Sequence, residues 1–280
     1  MSMVMGQSGG QAGEGASGAP LEGGPGKRTG AGAFAPLSMD SPWRWLALGW
    51  RDMWAVPGIS LTYGLVFFGV SVAIVAGLAV LSWSAVALAM AAGFMLVGPM
   101  LAVGLYEASR RLEAGEPLHL RDIFFVATKS PSQLALLGGA LMLVLLIWMR
   151  LATLLFALFF GGEGFPPLSN FLQTLFFTSH GLGLMVMGTA VGAVLAAFVF
   201  AISAISVPML MERDMDAVSA MGESALAVLR HPKELLLWAW LIAVIMAAGL
   251  ATLLVGMIIA FPLIGHATWH AYRDITAQQD

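Results

Sequence analysis

The chain has 280 residues and not one cysteine. That absence removes a disulfide framework, a thiolate metal site and a thiol nucleophile together. Charge is almost as scarce. Asp, Glu, Lys and Arg make up 10% of the residues, against about 25% in an average soluble domain. A soluble globule this poor in charge could not cover its surface. An ordinary cytosolic enzyme and a disordered protein are therefore excluded. The formal net charge of −3 gives no grip on polyanions, so nucleic acid is excluded as a partner. No nucleotide-binding glycine loop, zinc-protease helix motif or nucleophile elbow occurs. What the chain does have is 59% apolar residues and a mean hydropathy of +0.86. These values describe an all-α, polytopic membrane protein whose main partner is the lipid bilayer.

Residues 1–40 differ in kind from the rest. They hold 11 of the 33 glycines and almost no apolar periodicity, which predicts a disordered Gly/Ala-rich tail. Residues 41–275 form the membrane domain. Charge-free runs mark its spans, each of which needs about 20 residues. Met53 to Tyr106 is free of Asp, Glu, Lys and Arg, enough for two helices turning near Ser82-Trp83-Ser84. A second run, Ser130 to Gly162, is broken only by Arg150. A third runs from Gly164 to Met211, and its first part, Pro166 to His180, predicts a surface helix with Phe171, Leu172, Leu175 and Phe176 on one face. The last runs from Leu235 to Tyr272. Read as a hairpin turning near Ala248-Gly249, it brings the total to six transmembrane helices in three hairpins. The spans are then about 58–81, 85–106, 134–160, 182–207, 233–248 and 251–272.

The basic residues set the orientation. Arg44, Arg51, Arg110, Arg111, Arg121, Lys129, Arg213, Arg230, Lys233 and Arg273 all flank or follow spans on one predicted side. By the positive-inside rule that side is cytoplasmic, so both termini lie inside the bacterial cell (inner) membrane.

An internal repeat supports the count. Three amphipathic segments, Trp50–Val56, Phe124–Ser130 and Ala225–His231, each end on a proline, Pro57, Pro131 and Pro232. Proline at a helix start costs little, because the first amides lack partners anyway. Each is read as a cytoplasmic interfacial helix leading into a span. Pro99, Pro208 and Pro262 lie late in the even-numbered spans. After Pro99 and after Pro262 an aromatic follows by seven residues, Ala by nine and Arg by eleven.

At these residues the chain resembles a known group. The motifs are Gly49-Trp50-Arg51-Asp52 with Pro57-Gly58, the stretch Leu96-Val97-Gly98-Pro99 to Glu107 with Arg110-Arg111-Leu112-Glu113, and the ending Pro262 to Asp274. Together they resemble the bacterial domain-of-unknown-function 2189 family over roughly Trp43 to Asp274. The resemblance implies a bacterial integral membrane protein. Some members carry the label of cytochrome c oxidase subunits, but it implies no activity and no site residues. A haem-copper oxidase core needs more embedded histidines than the five present.

Three candidate features carry chemistry. His266 and His270, spaced i, i+4, share a helix face and suit one metal ion or one side of a haem, with His119 and His231 on the same predicted side. The bland alternative is an interfacial pair beside Trp269 and Tyr272. Arg150 is the one charge inside a span, a substrate-binding candidate by default, or else a residue snorkelling outward toward Glu163. Gly188, Gly192 and Ala196 form a small-residue ridge for helix packing. Trp43, Trp45, Trp50 and Trp54 are expected to anchor the first amphipathic segment at headgroup level. Glu107, Arg110, Arg111 and Glu113 read as a solvated helix end. No cofactor is assigned. The function that follows is a non-enzymatic scaffold or assembly factor working with other membrane proteins. The alternatives are a small-molecule or lipid carrier with its path near Arg150, and a His-ligated metal or haem subunit. The sequence leaves the oligomeric state open.

Overall fold

The computed structural model of the protein describes residues 34, 36–80, 84–161 and 168–277. The described residues form twelve helices and no strand. They are α1 (Ser41–Ala55), α2 (Pro57–Val80), α3 (Ser84–Leu101), α4 (Val103–Ala114), α5 (Leu120–Phe124), α6 (Pro131–Phe160), α7 (Leu168–Phe177), α8 (Ser179–Ser203), α9 (Ser206–Glu212), α10 (Ala217–Arg230), α11 (Pro232–Ala251) and α12 (Met257–Thr276). Most of the expected 1–40 tail, the turn at Ser82-Trp83 and Glu163 lie outside the described residues.

Five stretches are long and apolar enough to cross a membrane: Pro57–Val80, Ala89–Ala114, Pro131–Phe160, Ser179–Glu212 and Pro232–Ala251. α12 has the length, about 30 Å at 1.5 Å per residue, but its second half carries His266, His270, Arg273 and Asp274. Its composition therefore keeps it out of that set. The long helices start where the sequence pattern places them. Pro57, Pro131 and Pro232 are the first residues of α2, α6 and α11, where a missing amide hydrogen breaks no helical bond.

The ends differ from expectation at two places. Helix α11 runs past Ala248-Gly249 to Ala251, and the reversal falls at 252–256. Thr252 builds it, donating its hydroxyl to the Gly249 carbonyl at 2.8 Å and accepting the Gly256 amide at 2.7 Å. Gly249 serves a different purpose, since a Cβ there would press on Met257 and Ala260. The span expected at 182–207 is interrupted. α8 stops at Ser203 and α9 resumes at Ser206. The span expected at 85–106 likewise breaks around Ala102, three residues after Pro99.

α12 packs against α1, α2, α4 and α11, while α3, α6 and α8 pack on one another. The approach of α12 to its neighbours depends on missing side chains. A Cβ on Gly49 of α1 would sit 2.6 Å from the Ala267 amide nitrogen, and one on Gly64 of α2 would run into the Ile258 carbonyl. The expected ridge on α8 behaves otherwise. Only Gly192 meets a neighbour, the Trp148 indole, and nothing lies near Gly188. On α7, Leu175 is buried and Phe176 half exposed.

Gly49→Leu should unfold the protein in detergent at a clearly lower temperature, because overpacking against a backbone costs about 1–3 kcal/mol or more. Gly69→Ala, where nothing lies within 4 Å, should match or exceed the wild type. Equal melting of the two variants would contradict the packing described here.

Candidate functional site

The polar residues of the chain converge on the C-terminal half of α12. Its last two turns face acids from three other helices, and it contributes one of its own. His270 Nε2 lies 2.7 Å from Asp52 Oδ2 of α1. Trp269 Nε1 donates to Glu113 of α4 at 3.0 Å, and Arg273 Nε reaches the other oxygen of that carboxylate at 3.2 Å. Tyr272 donates its hydroxyl to Glu212 of α9 at 3.0 Å. In return Asp274 accepts from Arg44 at 2.5 Å and from the Trp45 indole at 2.8 Å.

Inside this ring runs a buried chain of hydrogen bonds whose polarity follows from valence. Asp52 is 5% exposed, and a carboxylate only accepts. Ser109 donates its single hydroxyl hydrogen to Asp52 Oδ2 at 2.9 Å. It must therefore accept from its other neighbour, His266 Nδ1, at 2.8 Å. That places the ring hydrogen on Nδ1 and leaves Nε2 to accept the Ser60 hydroxyl at 2.9 Å. With no carboxylate touching it, the fully buried His266 ring is held most cheaply uncharged. Ser60 of α2, Ser109 of α4, Asp52 of α1 and the two histidines of α12 thus tie four helices together.

Burial pushes the Asp52 carboxyl up. The hydrogen bond and charge of His270, with the Ser109 bond, more than offset it and hold the group below the usual carboxylate range. Of the other cluster, expected at a solvated helix end, Glu113 is exposed and Arg110 and Arg111 partly so, but Glu107 is not solvated. Glu107 is 4% exposed, gripped by Arg110 Nε at 2.8 Å and by Arg111 Nε at 2.6 Å. The same arginines reach Glu116 and Asp122, which fastens the following loop and α5 to α4. The helix is closed by Gly115 in the left-handed region at φ 67°, a conformation glycine adopts without strain.

The expected residues are distributed as follows. His266 and His270 do meet at one place, around Asp52 and Ser109. Both nitrogens of His266 are taken by serines. Among the described residues no group of three or more His, Cys, Asp or Glu stands ready for a metal ion. His119 pairs with Asp122 on α5, and His231 lies between α10 and α11. Arg150 is exposed on α6, nineteen residues beyond Pro131 and so about 28 Å along the axis. A separate apolar pocket opens between α2, α3, α11 and α12, lined by Phe67, Met95, Met246, Met257 and Phe261. Its one polar side chain, Ser71, donates back to the Phe67 carbonyl, and Arg150 is not among its walls. Of the four early tryptophans, Trp45 is fully buried edge-on against Trp238 at 5.6 Å. Only Trp43, Trp50 and Trp54 face outward.

Sequence reasoning missed Asp52, Ser60 and Ser109. One signal was available, a lone acid beside tryptophans immediately before a span. Its partners stand up to 218 positions away, which no local pattern reports.

Removing Asp52 should be severe. Asp52→Ala takes the acceptor from two donors and should cost about 3–5 kcal/mol, as for one partner of a buried ion pair. Thermal unfolding in detergent reads this. The pH dependence has a fixed sign. Because the folded value is depressed, the stability from Asp52 is present above the ordinary carboxylate value of about 4 and is lost as pH falls through the folded value. The melting temperature of the wild type should therefore fall more steeply below pH 4 than that of Asp52→Asn. The coordination reading has its own assay. Metal or haem in the purified protein, lost in both His266→Ala and His270→Ala, is its expected sign.

Comparison with known proteins places part of this architecture. Residues 86–212 match the family model described as predicted integral membrane protein (DUF2189). The match runs from α3 through α9 and includes Ser109 and the Glu107 cluster; α1 and α12 lie outside it. No curated protein and no solved structure matches the chain. Over residues 86–212, therefore, the chain is similar to the DUF2189 family of predicted integral membrane proteins, and it reads as an integral membrane protein of several apolar helices.

Proposed function

We propose that the protein is a non-enzymatic scaffold or assembly factor of the bacterial inner membrane. In this reading α12 is the sixth span, the spans form three hairpins, and α1, α5 and α10 lie at the cytoplasmic surface with both termini inside. The observation that supports it is closure of the polar site. Asp52, Ser60, Ser109 and His266 are each 5% exposed or less, and each is satisfied by another member of the group. No acid or base among them faces an accessible cavity, where a catalytic group would have to meet its substrate. A closed network of this kind holds helices in register. Much of α2 and α6 meanwhile presents apolar side chains outward, surface that lipid or other membrane helices can cover.

The pocket between α2, α3, α11 and α12 favours a second reading, a carrier for an apolar or lipid-like molecule. Its lining suits an acyl chain better than an ion.

Two measurements separate these readings. A reporter active only in the periplasm and fused after Asp280 should be silent; activity would refute the six-span arrangement. Gentle solubilisation should retain a stoichiometric membrane-protein partner that Asp52→Ala releases. Absence of any such partner, with transport of an acyl-chain probe in proteoliposomes that Ser71→Trp in the pocket wall blocks, would favour the carrier and overturn the scaffold.

A further inference from the structure

The three segments that precede the proline-started helices share a feature outside the hydrogen-bonded ring. Each turns large apolar side chains outward beside a cation. On α1, Trp43, Trp50 and Trp54 are about half exposed, 53%, 48% and 47%, and with Ala47 they form one stripe. Arg51 next to them is 70% exposed. At α5, Phe125 is 86% exposed and Phe124 48%, flanked by exposed Arg121 and Lys129. On α10, Leu229 is 77% exposed, beside exposed Arg230 and followed by exposed Lys233. The acids of the first two segments stand 3.7 Å from Arg51 and Arg121 but are held more closely by other groups. Asp52 is buried with Ser109 and His270, and Asp122 faces Arg111. On the third, Asp214 and Asp216 stand at the opposite end of α10 from Leu229 and Glu223 is half-buried in its middle, while a half-buried Glu234 follows Lys233.

Depth narrows the choice of occupant. Trp54 and Leu229 each lie three residues before the proline that starts a long apolar helix, or about 5 Å along a helical path. The headgroup layer is roughly 5–8 Å thick on each side of the hydrocarbon. Rings and aliphatic groups at that depth are stabilised in the interface, where indoles concentrate. Cations beside them meet phosphate, worth about 1 kcal/mol each at an anionic surface. A protein partner would call for one continuous patch. Here the same pairing of apolar group and cation recurs three times, each time where the chain enters the bilayer.

We propose that α1, α5 and α10 form a collar that binds the headgroups of anionic phospholipid in the bilayer the chain itself spans. Arg51, Arg121, Lys129, Arg230 and Lys233 contact phosphate, and the exposed rings lie at headgroup level. The collar rests on the reading that these three segments share one side of the membrane.

The absence of native cysteine makes the test direct. Single cysteines replace Ala47, Ala127 and Gly222, all exposed, and the last has nothing within 4 Å of a new Cβ. Ala114→Cys, exposed at the end of α4, is the aqueous reference. Each full-length variant is spin-labelled in vesicles of phosphatidylcholine with or without phosphatidylglycerol, and accessibility to oxygen and to a nickel chelate is measured. The three collar labels should read headgroup depth with phosphatidylglycerol and move outward without it. Arg51→Gln, Arg121→Gln and Arg230→Gln together should abolish that difference. Labels as exposed to the chelate as the Ala114 label in both lipids overturn the proposal. So does headgroup depth indifferent to phosphatidylglycerol, and so does shielding seen in native membranes but lost in vesicles of pure protein, which would mean that a protein covers the collar. Chelate confined to one face of the vesicle reports sidedness separately. Labels on opposite faces would refute the six-span arrangement, while the depth of each label still scores its lipid contact.

Discussion

Charge is expensive in a bilayer, and this fold gathers four of its acids, Asp52, Glu113, Glu212 and Asp274, around one helix end. α12 brings His266, Trp269, His270, Tyr272 and Arg273 into reach of Asp52, Glu113 and Glu212, and sends Asp274 back to Arg44 and Trp45. Together these contacts join α12 to α1, α4 and α9. Removing Asp52 would leave the buried Ser109 hydroxyl without its acceptor, which costs more than the bond itself contributes. The close approach at Gly49 and Gly64 makes this possible, since short side chains such as serine and aspartate bridge only helices in near backbone contact.

The same economy governs the rest of the bundle. Away from the polar end, side-chain hydroxyls mostly return to their own helix. Thr153, Ser203, Ser206 and Thr268 each donate to the carbonyl four residues back. Such bonds satisfy the hydroxyl without linking helices. Cohesion between spans therefore comes from packing of apolar surfaces, as around Trp148, whose indole also donates to the Ala89 carbonyl at 2.7 Å. The molecule has a strongly specified end and a body held by shape.

Much of this was legible in the sequence, and the illegible part has a common cause. Charge-free runs located α2, α6, α8 and α11 because hydrocarbon excludes charge over a length the eye can count. Pro57, Pro131 and Pro232 marked helix starts because the rule involved is local. The last reversal was misplaced because Gly249 looked like a turn residue, whereas its lack of a side chain serves packing against Met257 and Thr252 makes the turn. Glu107 looked solvated because its i, i+3 and i, i+4 arginines are the usual sign of an exposed face. That it is buried depends on tertiary neighbours. The spacing of His266 and His270 correctly placed them together, but no spacing could show that Ser60, Ser109 and Asp52 would occupy their nitrogens.

The polar ring also joins segments far apart along the chain. Arg44 and Asp274 are separated by 230 positions, and Asp52 and His270 by 218. A ribosome delivers α1 first and α12 last. While five apolar stretches are already available to the membrane, Asp52, Ser109, Glu113 and Glu212 still await the groups that complete them. The growing chain thus carries a set of unsatisfied polar sites that disappear only when the final helix docks. Docking of α12 is thus a change from open to closed polar groups, a difference that any machinery recognising unassembled membrane helices has the chemistry to read.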